Sequence, residues 1–125
     1  MSETPEMVSA EHDRRLDYVE FGAPDLTAVK QFYGDVFGWQ FTDYGPDYTS
    51  FGDGRLNGGF RRRERVAPGG PLVVIFSTDL ERMTTAITGA GGRIVQPIFS
   101  FPGGRRFHFL DPAGNELAVW SDRPG

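Results

Sequence analysis

Two stretches of this chain decide its fold: "PDLTAVKQFYGDVFG" (24–38) and "TDLERMTTAITGAGG" (78–92). In the first, Leu26, Val29, Phe32, Tyr33 and Val36 recur at the three-and-four spacing that gives a helix one apolar face. In the second, Leu80, Met83, Ala86, Ile87 and Ala90 do the same. Each member of the second set lies 54 positions after its counterpart, and Gly92 follows Gly38 by the same shift. The chain therefore reads as an internal duplication. Asp25 stands ready to open one helix, and Thr78 with Glu81 has capping-box spacing for the other. Glycine is the predicted stop for both, because it accepts the left-handed conformation of a helix end.

Working outward, an apolar strand precedes each helix: "LDYVEFG" (16–22) and "PLVVIFS" (71–77). Three strand-like pieces follow each. They are "WQFTDY" (39–44), "YTSFG" (48–52) and "LNGGFRR" (56–62), then "RIVQPIF" (93–99), "RRFHFL" (105–110) and "NELAVW" (115–120). Gly, Pro, Asp and Asn mark the breaks, notably "DPAGN" (111–115). The prediction is an α+β fold of two βαβββ modules in tandem, forming a curved mixed β-sheet cup with helices outside. The modules are 16–62 and 71–121 of one domain, 16–121, with a linker at 63–70 and a flexible N-terminal tail at 1–15.

Composition narrows the function classes. A chain of 125 residues with 38% hydrophobic content is the size of one domain with a real core. The absence of cysteine excludes disulfides, thiolate metal sites and a cysteine nucleophile, and it suits a cytoplasmic protein. No apolar run is long enough to span a membrane, and the first fifteen residues lack the apolar core of a secretory signal. A net charge of −4 argues against nucleic acid as a partner. The one basic run, "FRRRER" (60–65), reads as a solvated face or a local anion site.

Strand alternation sorts the side chains. If Val19 and Phe21 face the helix-side core, Tyr18 and Glu20 face the cleft. If Leu117 and Val119 face the core, Glu116, Ala118 and Trp120 face the cleft. His108 alternates with Phe107 and Phe109, which places it in the cleft or at its rim. "PLVVIFS" is apolar on both faces, as a buried central strand is, and Val73 and Ile75 are expected to line the cleft. Trp39, Trp120, Tyr18 and Phe101 are candidates for an aromatic-lined pocket. "SFPGGRR" (100–106) is a loop over the cleft mouth or, more simply, a hairpin turn.

With "FYGDVFGW" (32–39) closing the first helix and "DPAGNELAVW" (111–120) closing the second module, the chain resembles the vicinal-oxygen-chelate superfamily. That superfamily includes glyoxalase I, extradiol dioxygenases and bleomycin-resistance-type binding proteins. The resemblance spans 16–121 and implies a small-molecule ligand and a homodimer, with the modules paired within one chain or exchanged between two. In metal-dependent members it implies a divalent ion held by His and Glu. Counting from the motifs puts the ligand positions at Tyr18, Val73 and Ala118 and within "RLNGGF" (55–60), where Asn57 is the nearest to a donor. Valine and alanine cannot bind a metal. The expectation is thus metal-independent binding, with no cofactor, of an aromatic or cationic molecule. The candidate ligand-binding residues are Tyr18, Glu20, Val73, Ile75, His108, Glu116 and Trp120. The alternative is a glyoxalase-like lyase, isomerase or dioxygenase. It would use a divalent metal on Glu20, Glu116 and His108, or Glu20 as the base with Tyr18 orienting the substrate. A third reading is a structural interaction module whose cleft is filled by its own aromatics.

Overall fold

A computed structural model describes residues 10–125; residues 1–9, most of the predicted tail, lie outside the described residues. After a short 3-10 turn at Ala10–His12, the first module runs β1 (Tyr18–Ala23), α1 (Leu26–Phe37), β2 (Gln40–Asp43), β3 (Tyr48–Gly52) and β4 (Asn57–Arg62). The second runs β5 (Val73–Phe76), α2 (Leu80–Gly89), β6 (Arg93–Phe101), β7 (Gly104–Leu110) and β8 (Glu116–Ser121). The duplicated order is the one the apolar spacing predicts.

The helix ends show which local signals operate. Asp25 caps α1 by accepting from the backbone N–H of Thr27 and Ala28, and Gly38 ends it at φ 74°. For α2 the capping residue is Asp79, which accepts from the N–H of Arg82 at 3.0 Å. The Thr78–Glu81 box does not form, because the Glu81 carboxylate is taken by Arg105 at 2.7 Å. The left-handed glycine after α2 is Gly91, at φ 100°, rather than Gly92. Gly92 has a packing role instead: a Cβ there would run into Ile87 and Phe32.

Each module forms one four-stranded mixed sheet, in the orders β1-β4-β3-β2 and β5-β8-β7-β6. The outer pairs β1/β4 and β5/β8 are parallel, as the crossover through a helix requires, and the remaining pairs are antiparallel. The stretch 100–106 is the β6–β7 hairpin, with Gly103 at φ 106° in its turn.

One core serves both modules. Val29, Phe32 and Tyr33 of α1 and Leu80 and Ile87 of α2 pack with Phe51, Phe60, Phe107, Phe109, Leu117 and Val119 of the two sheets. Trp39, expected in the cleft, belongs to this core. Its ring lies between those of Tyr33 (4.5 Å) and Phe51 (4.4 Å), because the left-handed turn at Gly38 folds the chain back under α1. The "DPAGN" turn fastens the halves together. Asp111, only 4% exposed, accepts from the Tyr33 hydroxyl of α1 at 2.8 Å, and the Asn115 side-chain amide donates to the Gly22 carbonyl of β1 at 2.9 Å.

Because both helix-side faces share that core, the opposite faces turn away from it and the cup stays open within a single chain. β5 shows this most clearly. Expected as a buried central strand, it stands at the edge of its sheet, with Val74 43% and Phe76 47% exposed.

Candidate functional site

On the first sheet, register places Tyr18 and Glu20 of β1, Gly59 and Arg61 of β4, and Tyr48 of β3 on the face opposite the core. The hydroxyls of Tyr18 and Tyr48 lie 2.5 Å apart, and Tyr48 also donates to Glu20 Oε1 at 3.1 Å. Arg61 Nε stands 3.5 Å from Glu20 Oε2, and its guanidinium lies over the Tyr48 ring at 5.1 Å. Gly59 makes the arrangement possible: any Cβ there would strike both phenol oxygens. Desolvation, then the bonds to Tyr18 and Glu20, push the Tyr48 phenol well above its ordinary value, so it stays a neutral donor.

Glu20 therefore differs from the sequence expectation of a carboxylate in an apolar cleft. Its side chain is 40% exposed and already engaged by Tyr48 and Arg61, and the expected neighbours Val73, Ile75 and Trp120 belong to the other sheet. Tyr48 escaped the sequence reading, and Arg61 entered it only as part of the basic run 60–65. The signal for them was present, since Tyr48 alternates with buried Thr49 and Arg61 follows buried Phe60.

On the second sheet the corresponding face carries His108, Arg106, Glu116, Ala118 and Trp120, with Gln96 and Phe99 of β6. His108 Nδ1 is 2.9 Å from Glu116 Oε2. The Arg106 guanidinium lies over the rings of Phe99 (5.4 Å) and Phe101 (5.9 Å), and the Phe99 ring is 6.0 Å from that of His108. Phe76 meets Trp120 edge-on at 5.4 Å. A cavity of about 230 Å³ opens between Gln96, Phe99, Arg106 and His108. Two buried nitrogens at this site, Arg106 Nε and His108 Nε2, have no hydrogen-bond partner among the described residues. Buried polar atoms are rarely left in that state.

Val73 and Ile75 are not part of this face. They pair with Leu117 and Val119 and pack against the core, so Val74 and Phe76 are the β5 residues that look outward. Within one chain the candidate residues form two clusters: Tyr18 and Glu20 on the first sheet, and His108, Glu116 and Trp120 on the second. A larger hollow, about 410 Å³, lies between α1 and α2 beside Pro112, where Asp35 is the one ionisable side chain.

Of the ligand positions counted from the motifs, Tyr18 supplies a phenol and Asn57, its register partner, an amide, while Ala118 lies beside Val74 rather than the expected Val73, so the second sheet supplies alkyl groups alone. Among the described residues no group of three or more His, Cys, Asp or Glu is arranged to hold a metal. The donor set does not fit such an ion. No described helix is long and apolar enough to cross a membrane.

A family profile described as "Glyoxalase/Bleomycin resistance protein/Dioxygenase superfamily" matches residues 15–119. "Anthracycline biosynthesis protein DnrV" of Streptomyces peucetius is 33% identical over 124 residues, which covers 82% of this chain and 45% of that protein. "Putative glyoxylase CFP32" of Mycobacterium bovis is 26% identical over 118 residues, covering 83% and 44%. The chain thus spans less than half the length of these relatives. Among solved structures, a glyoxalase/bleomycin resistance protein/dioxygenase family enzyme from Burkholderia phytofirmans PsJN has a TM-score of 0.76 at 18% identity, covering 86% of this chain and 100% of that one. The fosfomycin resistance protein FosX of Mesorhizobium loti has a TM-score of 0.73 at 17% identity, covering 86% and 92%. At such identities the likeness is one of fold.

Proposed function

The chain belongs to the glyoxalase/bleomycin resistance protein/dioxygenase superfamily, and from that premise we propose that it binds a small aromatic molecule without a metal ion. The carrying observation is the second sheet's outward face, where Phe99, Phe101 and Trp120 surround Arg106 and His108. Flat rings supply contact area at low entropic cost, and a few polar groups orient what lies on them. Arg106, which has no ion pair among the described residues and lies over Phe99 and Phe101, favours a neutral or acidic aromatic over the cationic ligand the sequence left open. A relative named for anthracycline biosynthesis agrees with an extended aromatic ligand.

The binding cleft is completed by a second copy of the chain. β1 and β5 each end their sheet, and Tyr18, Leu72, Val74 and Phe76 on or beside them are exposed. A β1 strand from a second copy, laid beside β5, makes β5 the central strand its composition describes. It also turns the Tyr18–Glu20–Tyr48–Arg61 cluster towards His108 and Arg106. A metal-free reaction with Glu20 as base has less support, because that carboxylate is already held by Tyr48 and Arg61.

The test is calorimetric titration of chelator-treated protein with anthraquinone-2-sulfonate, alongside sedimentation. Saturable binding by a dimer is expected, weakened about tenfold, or about 1.4 kcal/mol, by Phe99→Ala. Phe76→Asp is expected to give a monomer that no longer binds. Binding that requires an added divalent ion would refute the metal-free reading; no binding at all would refute the aromatic one.

A further inference from the structure

The two unpartnered nitrogens on the second sheet say what kind of aromatic molecule fits, if the aromatic-binding reading holds. Nδ1 of His108 faces the Glu116 carboxylate at 2.9 Å, and a carboxylate only accepts, so Nδ1 carries the proton. In the neutral ring Nε2 is then a bare acceptor. Arg106 Nε is a donor and nothing else. Arg106 and His108 both line one cavity, and in its walls they bury a donor and an acceptor that no described residue uses. A carbonyl would satisfy the arginine and leave the histidine unpaired. An ammonium would satisfy the histidine and be repelled by the guanidinium. A hydroxyl satisfies both, donating to Nε2 while its oxygen accepts from Arg106.

We propose that the ligand carries an acidic hydroxyl, a phenol or an enol, that seats between His108 Nε2 and Arg106 Nε and passes its proton to His108. The O–H bond breaks, an N–H bond forms at Nε2, and the electron pair stays on oxygen. The resulting imidazolium is balanced by Glu116 and the oxyanion by Arg106. Within one chain the groups facing His108 are Glu116 and Ala118 from β8, Gln96 and Phe99 from β6, and Arg106 from its own strand; the proposed pairing of copies adds Glu20 and Arg61 of the first sheet. Glu116 and Arg106 are the charged members of the set within one chain, so the proton moves between one carboxylate-backed base and one cation-backed oxygen. Arg106 is held by the rings of Phe99 and Phe101 and has no ion pair with a described residue, which leaves its guanidinium free to shift as the ligand enters.

The probe is 4-nitrophenol, small enough for the cavity and coloured differently as phenol and phenolate. One pH unit below its own pKa, the bound probe should show the phenolate band and bind at least tenfold more tightly than 4-nitroanisole, which lacks the proton. His108→Gln, which can hydrogen-bond but cannot take the proton, should remove the band, and Glu116→Gln should diminish it. A bound probe with the neutral spectrum, or equal affinity for the anisole, overturns the proposal. So does failure to bind 4-nitrophenol at millimolar concentration by protein that binds anthraquinone-2-sulfonate, an outcome that leaves the aromatic-binding reading standing. If neither compound binds, both readings fall.

Discussion

Replacing Tyr33 with phenylalanine removes a single oxygen from the seam between the two modules. The ring contacts with Trp39 (4.5 Å) and Phe60 (5.4 Å) survive the change, so the loss is confined to the bond from the hydroxyl to Asp111 Oδ2 at 2.8 Å. Burial pushes the Asp111 carboxyl up, against the bonds from Asn115, Tyr33 and Ala113 that hold it down. Tyr33 itself is driven far above the ordinary phenol range by burial, then by the Asp111 charge, and so remains a donor. A hydrogen bond to a charged group contributes about 1.5–3 kcal/mol. Since Asn115 and Ala113 still serve the carboxylate, we expect about 2 kcal/mol. For a domain of this size that corresponds to a fall in Tm of about 6–10 °C. Urea unfolding should show the midpoint moving with an unchanged m-value. Asp111→Asn should cost less in the Tyr33→Phe background than alone, because the two residues share one bond. A loss below about 0.5 kcal/mol, within the range of an ordinary surface substitution, or strict additivity of the pair, would refute the seam.

Two further expectations concern the tyrosines. Tyr33 and Tyr48 both have raised folded values, so above about pH 10 the unfolded chain gives up phenol protons that the folded chain retains. Their contribution to stability is complete below that pH and is lost as pH rises towards the folded values; urea melts from pH 8 to 11 would show the decline, and a flat profile would contradict it. Gly59→Ala should force the Tyr18 and Tyr48 hydroxyls apart, cost about 1–3 kcal/mol as overpacking does, and bring Tyr48 ionisation back towards normal in an absorbance titration. An unchanged titration would mean that the glycine is incidental.

Most of the architecture was legible because apolar spacing within a helix or strand is set locally. The repeat from Leu26 and Leu80 onward located all the helices and strands of the two modules, and the alternation around His108 assigned its face correctly. What the sequence withheld were choices settled by distant partners. Val73 and Ile75 cannot be told from Val74 and Phe76 by type; pairing with Leu117 and Val119 decides which set meets the core. Glu81 had the spacing for a cap, but Arg105, far along the chain, claimed it. The two candidate clusters could be assigned to strands but not to one cleft, because their separation depends on how the modules share a core. "DPAGN", which helps to identify the family, proved to be a joint between modules rather than a reactive element.

The position of β5 also bears on how the protein survives in a cell. Val73–Phe76 is a short run without charge or proline at the rim of a sheet, and a rim of that kind offers unpaired backbone groups to another extended chain. On the proposed pairing of two copies, single molecules are the form left open to aggregation or degradation. Abundance should then fall off steeply once synthesis drops too low for copies to find each other, so that assembly itself acts as the quality check.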